Sequence, residues 1–168
     1  MSFLFKFARF LSAIVILPFL SNCVSVKLSP AEKKSSLTAT YRAPGLPFSN
    51  AESEYVDHAW QNLKNGNNIS YISDCDTSSD PTLQNLLSNL THEIENLKTL
   101  KSELINYNSR EALRTRLSGK VDGIQTEFEI LIFKKDRCTY ILNYAARESA
   151  FNDNLNDFNL FVKDFSVP

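Results

Sequence analysis

The chain has 168 residues, with 18 Lys+Arg against 19 Asp+Glu and a formal net charge of −1. That length excludes a large multidomain enzyme, and the even charge balance lacks the basic footprint that nucleic acid requires. Its 4 glycines, Gly45, Gly66, Gly119 and Gly123, match neither a Walker loop nor a dinucleotide-binding turn, so no nucleotide cofactor is expected.

Met1 to Arg9 carries Lys6 and Arg9 and no acid, and residues 10–20 are almost unbroken apolar, the pattern of a secretory signal. The run is too short to span a bilayer as a stable helix. Leu20-Ser21-Asn22-Cys23 follows, and it resembles the lipobox of bacterial lipoproteins, in which the Cys thiol receives a diacylglycerol and becomes the acylated N-terminus after cleavage. Asn22 departs from the small residue usual there. The resemblance implies a signal peptide over 1–22 and a lipid anchor on Cys23 that holds the protein to a membrane. With Val24 rather than Asp after the Cys, it also implies an outer-membrane location facing the periplasm. Each acyl CH₂ buried in lipid contributes about 0.8 kcal/mol, so two or three chains anchor stably. A plain secretory signal cut elsewhere, or an uncleaved anchor with an incidental Cys, is the alternative.

Residues 23–36 hold Ser, Lys and one Pro with little apolar periodicity and read as a tether, leaving 37–168 as one domain. Leu37, Ala39 and Tyr41 alternate with polar residues and predict a first strand ending at Pro44-Gly45. Ser49-x-x-Glu52 is a capping-box pattern for a short helical turn. Asn65-Gly66, between residues 57–63 and 69–73, predicts a hairpin with a two-residue turn and Trp60 on its buried face. Asp80-Pro81 supplies an N-cap and first helical residue, and Leu83, Leu86, Leu87, Leu90, Ile94 and Leu97 recur at helical spacing.

From Arg110 to Ala146 the period becomes two. Leu113, Thr115 and Leu117 share a face, as do Phe128, Ile130 and Ile132, and Tyr140, Leu142 and Tyr144, predicting three antiparallel strands. Asp122-Gly123 closes the first hairpin and Lys135-Asp136-Arg137 the second. A two-residue turn at Asp122-Gly123 sets Arg116 opposite Glu129 as an expected ion pair, and places Leu131, Phe133 and Ile141 on that same second side. Phe151, Leu155, Phe158, Val162 and Phe165 then form the seam of a closing helix.

Cys75 and Cys138 remain once Cys23 is set aside, an even pair in an oxidising compartment, for which a disulfide is the default reading. Two buried free thiols are the alternative; a metal or redox role lacks a Cys-x-x-Cys or a nearby His. The order strand, hairpin ending in Ser73-Asp74-Cys75, Leu-rich helix, meander and Phe-rich helix resembles the PsbP-like superfamily. Cys138-x-Tyr140 and Phe158-x-x-Phe161-x-x-x-Phe165 are the most recognisable pieces. That group includes photosystem accessory proteins, a Ran-binding nuclear-transport factor and small bacterial lipoproteins. The resemblance implies an α+β fold, an antiparallel β-sheet sandwiched by helices, in a protein that binds partners rather than catalyses.

Candidate chemistry is thin. Asp74-x-Asp76-x-Ser78-x-Asp80 alternates oxygen ligands like a calcium loop but lacks its sixth-position Gly and twelfth-position Glu, so a polar turn is the simpler reading and no metal is expected. His58 follows Asp57 and His92 sits between Thr91 and Glu93, without a nucleophile elbow for a hydrolytic triad. Arg110, Arg114, Arg116 and Lys120 share one strand parity, and Glu127 and Glu129 on the next strand neutralise much of that stripe. The reading that emerges is a lipid-anchored, non-catalytic envelope protein that binds or stabilises a protein partner, as an accessory to an envelope transport or assembly complex. A hydrolase of envelope lipid or polymer and a small-ligand carrier are the alternatives.

Overall fold

The computed structural model describes residues 39–75 and 80–168; the signal segment, Cys23, the tether and Leu37 lie outside them. Seven strands form one antiparallel sheet: β1 (Phe48–Ala51), β2 (His58–Asn62), β3 (Asn68–Asp74), β4 (Glu95–Tyr107), β5 (Arg110–Val121), β6 (Ile124–Lys135) and β7 (Cys138–Arg147), in the spatial order β1-β2-β3-β7-β6-β5-β4. Helix α1 (Leu83–Thr91) covers part of one face and α2 (Phe151–Asp164) the other. This is the α+β sandwich the sequence implies.

The meander is ruled by its turns. Asp122 and Gly123 have φ of +50° and +76°, and Asp136 and Arg137 have +52° and +65°. Both turns are two-residue connections whose left-handed backbone matches strand twist. Val121 therefore pairs with Ile124, and Lys135 with Cys138. The second turn is one residue shorter than the expected Lys135-Asp136-Arg137, and a one-residue shift moves every β7 side chain to the other face. Ile141 accordingly lies opposite Ile132 on the α1 face, not with Leu131 and Phe133. Arg116 does stand opposite Glu129, but the ion pairs run diagonally: Arg114 Nε to Glu129 Oε1 and Arg116 Nη2 to Glu127 Oε2, both 2.6 Å.

Other expectations change as well. The first strand is Phe48–Ala51, where burying Phe48 against β2 outweighs the local capping pattern at Ser49-x-x-Glu52, while Thr40 makes only an isolated bridge to Ser166. The β2–β3 turn is longer than Asn65-Gly66, closing from Asn62 to Asn67, with the Gly66 N–H donating to the Asn62 carbonyl at 2.8 Å. Helix α1 is capped by Thr82, whose hydroxyl accepts from the Asn85 N–H at 3.1 Å, while Asp80 meets Lys134 at 2.5 Å. The helix also stops at Thr91, and Leu97 belongs to β4, a strand the helical spacing concealed. Gly119 lets β4 start close to β5: a Cβ there would overlap the Ile94 side chain and lie 3.0 Å from the Glu95 carbonyl oxygen.

The α2 face is the larger core. Phe151, Phe158, Phe161 and Val162 descend onto Leu131, Phe133, Tyr140, Leu142 and Tyr144, with Phe165 buried just past the helix and Leu155 half-buried. At the far end of β4 the Tyr107 hydroxyl lies 2.6 Å from the Val162 carbonyl and 2.9 Å from that of Phe165, and burial raises its pKa well above the usual phenol value. One polar position interrupts the seam. Asn154 Oδ1 accepts from the side-chain amides of Asn62 (3.0 Å), Asn65 (3.0 Å) and Asn67 (2.9 Å), joining α2 to the β2–β3 turn. Beside it the Tyr144 hydroxyl donates to the Phe151 carbonyl at 2.7 Å, and burial pushes its pKa up to about 12.

Two outcomes follow. Asn154→Ala leaves the buried side-chain amide of Asn62 short of an acceptor, while the Asn67 amide keeps the Tyr144 hydroxyl and the Ala150 carbonyl, and lowers stability by about 1–3 kcal/mol in urea unfolding, the cost of one orphaned buried polar group. Arg137→Gly removes a side chain from a left-handed position and raises stability by about 0.5–1 kcal/mol in the same assay, the relief exceeding the gain in unfolded-chain entropy.

Candidate functional site

The two faces of the sheet are closed unequally. Helix α2 has 14 residues and α1 only 9. Leu83, Leu86 and Leu87 of α1 pack with Leu113, Leu117, Phe128, Ile130 and Ile132. Beyond the end of the helix, toward β3 and β7, the sheet stays partly open. A groove of about 240 Å³ remains there, lined by Ile72, Ile94, Phe128, Ile130 and Ile141, with Leu90 on its wall and Ser70, Thr91 and Asn143 as its polar members. Leu90 is 38% exposed although apolar. The Thr91 hydroxyl donates to the Leu87 carbonyl at 2.9 Å and closes the last turn of the helix. Among the described residues no titratable side chain lines this groove, so its chemistry is that of apolar contact with a few hydrogen-bonding points at the margin.

The residues weighed for catalysis are distributed elsewhere. Asp57 Oδ2 accepts from both the N–H and the hydroxyl of Ser73 at 2.6 Å, and Ser73 is fully buried. That hydroxyl proton is directed at the carboxylate, not at an imidazole. His58 stacks on Trp60 and Tyr71 with interplanar angles of 13° and 27°. Burial, and then the hydrogen bond with Tyr41, raise the Tyr71 pKa well above its ordinary value. His92 is solvent-exposed at the end of α1, its Nδ1 2.7 Å from the Asn89 carbonyl oxygen. The two histidines are on opposite sides of the sheet's chemistry: His58 joins the aromatic cluster of the α2 face, and His92 caps the helix on the other. Asp76 and Ser78 lie outside the described residues, and Asp80 meets Lys134.

The arginine stripe is neutralised from within. Glu127 and Glu129 are 9% and 8% exposed and hold Arg116 and Arg114, Arg114 also donates to Asn159 Oδ1 at 2.6 Å, and the Arg116 guanidinium sits 4.1 Å from the centroid of the Phe151 ring. Arg110 approaches Asp136 at 3.8 Å. The stripe therefore anchors α2 to the sheet instead of presenting a cationic surface.

Cys75 and Cys138 stand together. Asp74 pairs with Thr139, so Cys75, just past the end of β3, faces Cys138, the first residue of β7, and their sulfurs are bonded across a sequence separation of 63. The bond fastens the hairpin half of the sheet to the meander half. Sequence reasoning missed the groove because it depends on where α1 stops. It missed the asparagine hub as well, although Asn154, three residues after Phe151 on an otherwise aromatic seam, was a visible signal for a buried polar group in need of partners.

A seven-stranded antiparallel sheet with one helix on each face defines an α+β protein of PsbP-like architecture. Among solved structures, the chain is similar to LpqN of Mycobacterium tuberculosis, a protein involved in cell envelope biogenesis. The TM-score is 0.59 at 11% identity, over 82% of this chain and 87% of that one. It is also similar to CyanoP, the cyanobacterial PsbP of Synechocystis, with a TM-score of 0.57 at 11% identity, over 89% of this chain and 99% of that one. No protein-family model and no curated protein sequence matches the chain.

Oxidised protein is expected to be lighter by two hydrogens than its reduced form, on peptides joining Cys75 to Cys138. Replacing both by Ser lowers stability by about 4 kcal/mol in the chain-entropy account of a loop this long, read as a lower urea midpoint.

Proposed function

We propose that this chain is a lipid-anchored, non-catalytic accessory protein of the bacterial cell envelope, tethered through Cys23 and engaging an apolar side chain of a protein partner in the groove beside α1. The groove itself carries the reading. It is apolar, open to solvent, bordered by an exposed leucine, and, among the described residues, lined by no titratable group. Its volume of about 240 Å³ falls below the roughly 300–1,000 Å³ of sites that enclose a small molecule. That size suits one or two side chains projecting from another protein better than a carried ligand.

Two further observations support the reading. Asp57 and His58, weighed for hydrolysis, are engaged in structural roles, Asp57 accepting from the buried Ser73 and His58 stacked among aromatics. The fold is shared with LpqN, which is involved in cell envelope biogenesis, and with CyanoP. The anchor rests on the segment ending in Leu20-Ser21-Asn22-Cys23, and the outer-membrane assignment on Val24. A partner within a transport or assembly complex accords with a protein held at a membrane by acyl chains.

Fractionation and site-specific photocrosslinking test both parts. Cys23→Ser is expected to shift the protein out of the membrane fraction; retention equal to the parent's would refute the anchor. A photoreactive residue at Leu90 is expected to give a discrete protein adduct in intact membranes that is absent from the same probe at Leu160, which is 50% exposed on α2. Equal adducts at both positions, or none at Leu90, would refute the groove as the docking point.

A further inference from the structure

Strand β4 forms one border of the sheet over 13 residues, pairing among the described residues with β5 on one side only. A border strand offers a row of free backbone donors and acceptors, and natural sheets commonly blunt it with lysines and bulges. Here the irregularities sit in the first half, between Glu95 and Lys98 and between Thr99 and Lys101. From Lys101 to Tyr107 the register with β5 is unbroken. The strand also keeps Leu97, Leu100 and Leu104 at 40%, 51% and 53% exposure. Lys101 is paired with Glu103 of the same strand at 2.8 Å, so its charge does not stand alone against an incoming strand.

The faces of β4 follow from its partners. Leu104 stands opposite Leu113 and Ser102 opposite Thr115, on the α1 face, whereas Lys101 and Glu103 stand opposite Arg116 and Arg114, on the α2 face. When two identical strands pair antiparallel about a two-fold axis, the axis passes through one residue that faces its own copy. The choice of that residue fixes every other pair. An axis at Lys101 or Glu103 sets like charges directly opposite, which is unfavourable. An axis at Leu100 or Leu104 leaves neither charge with a complement: Lys101 then faces Thr99 or Tyr107. An axis at Ser102 sets Lys101 against Glu103 twice on one face, and brings Leu104 of each copy level with the other's Leu100, the bulge residue between Thr99 and Lys101.

We propose that β4 is a self-association edge, and that a second copy of this chain occupies it in antiparallel register with Ser102 on the two-fold axis. The pairing joins the two sheets into one, closes the open edge, brings Leu104 of each copy beside Leu100 of the other and arranges Lys101 and Glu103 of both copies into an alternating ring of charge.

The test uses the full chain in detergent, followed by sedimentation across a concentration series. A monomer–dimer equilibrium is expected. Lys101→Glu and Glu103→Lys each replace two attractive pairs by two repulsive ones and weaken the dimer about tenfold, at roughly 0.2–1 kcal/mol for each cross-strand pair. The double exchange, Lys101→Glu with Glu103→Lys, restores the parent affinity, which general destabilisation would not do. Register is read separately by oxidative crosslinking. Ser102→Cys brings the two new thiols into the range of a cross-strand disulfide, whereas Asn106→Cys leaves them far apart; the parent, oxidised alongside, gives the background from its own cysteines. A chain that stays monomeric up to about 100 µM overturns the proposal. So does a double exchange that fails to restore affinity, or crosslinking at Asn106→Cys without crosslinking at Ser102→Cys.

Discussion

Two reversals of the backbone, each only two residues long, decide which side of the sheet every side chain of the meander occupies. Because successive residues of a strand point to opposite faces, the length of a turn is equivalent to a choice of core. The Asp136-Arg137 turn places Tyr140, Leu142 and Tyr144 under α2 with Phe133 and Leu131, and Ile141 under α1 with Ile132. A turn longer by one residue would bury Thr139, Ile141 and Asn143 beneath the phenylalanines and leave three large side chains on the sparsely covered face. The α2 core, the ion pairs beneath it and the disulfide at the head of β7 are all downstream of that geometry.

The unequal covering of the two faces has a comparably simple origin. Fourteen residues of α2 carry an almost continuous aromatic seam, and rings supply large apolar area for each residue ordered. Nine residues of α1 reach across β5 and β6 and then end at Thr91, so Ile72 and Ile141 are left half-covered. The ionic contacts follow the same division. Glu127 and Glu129 lie on the sealed face, each held by an arginine from β5, with Phe151 stacked under Arg116. One face is thus built for stability, and the other retains room for an incoming group.

Much of this was legible from residue order. The three meander strands, the Asp122-Gly123 turn, the phenylalanine seam and the hairpin around Trp60 all follow from periods of 2.0 and 3.6. The failures have local physical causes. In β4 the bulges displace the alternation so that Leu97, Leu100 and Leu104, like Ile94 just before the strand, fall three and four apart, the spacing of a helix, and the pattern that correctly found α1 ran on into a strand. At Ser49-x-x-Glu52 the capping signal was present, but pairing with β2 and burial of Phe48 prevailed. The candidate groove was not legible, since no residue in it is unusual for a core and its existence depends on a helix end. The Arg116–Glu129 register was readable while the diagonal ion pairs were not, because side-chain length, not backbone register, selects between neighbours.

The bridge between Thr40 and Ser166 places the first described residues beside the segment that follows α2. Two backbone hydrogen bonds of 2.8 Å join them, and the Tyr41 ring stacks on Phe165 at 13°. Tension arriving along the chain from the N-terminal side therefore loads this small clasp before any strand of the sheet.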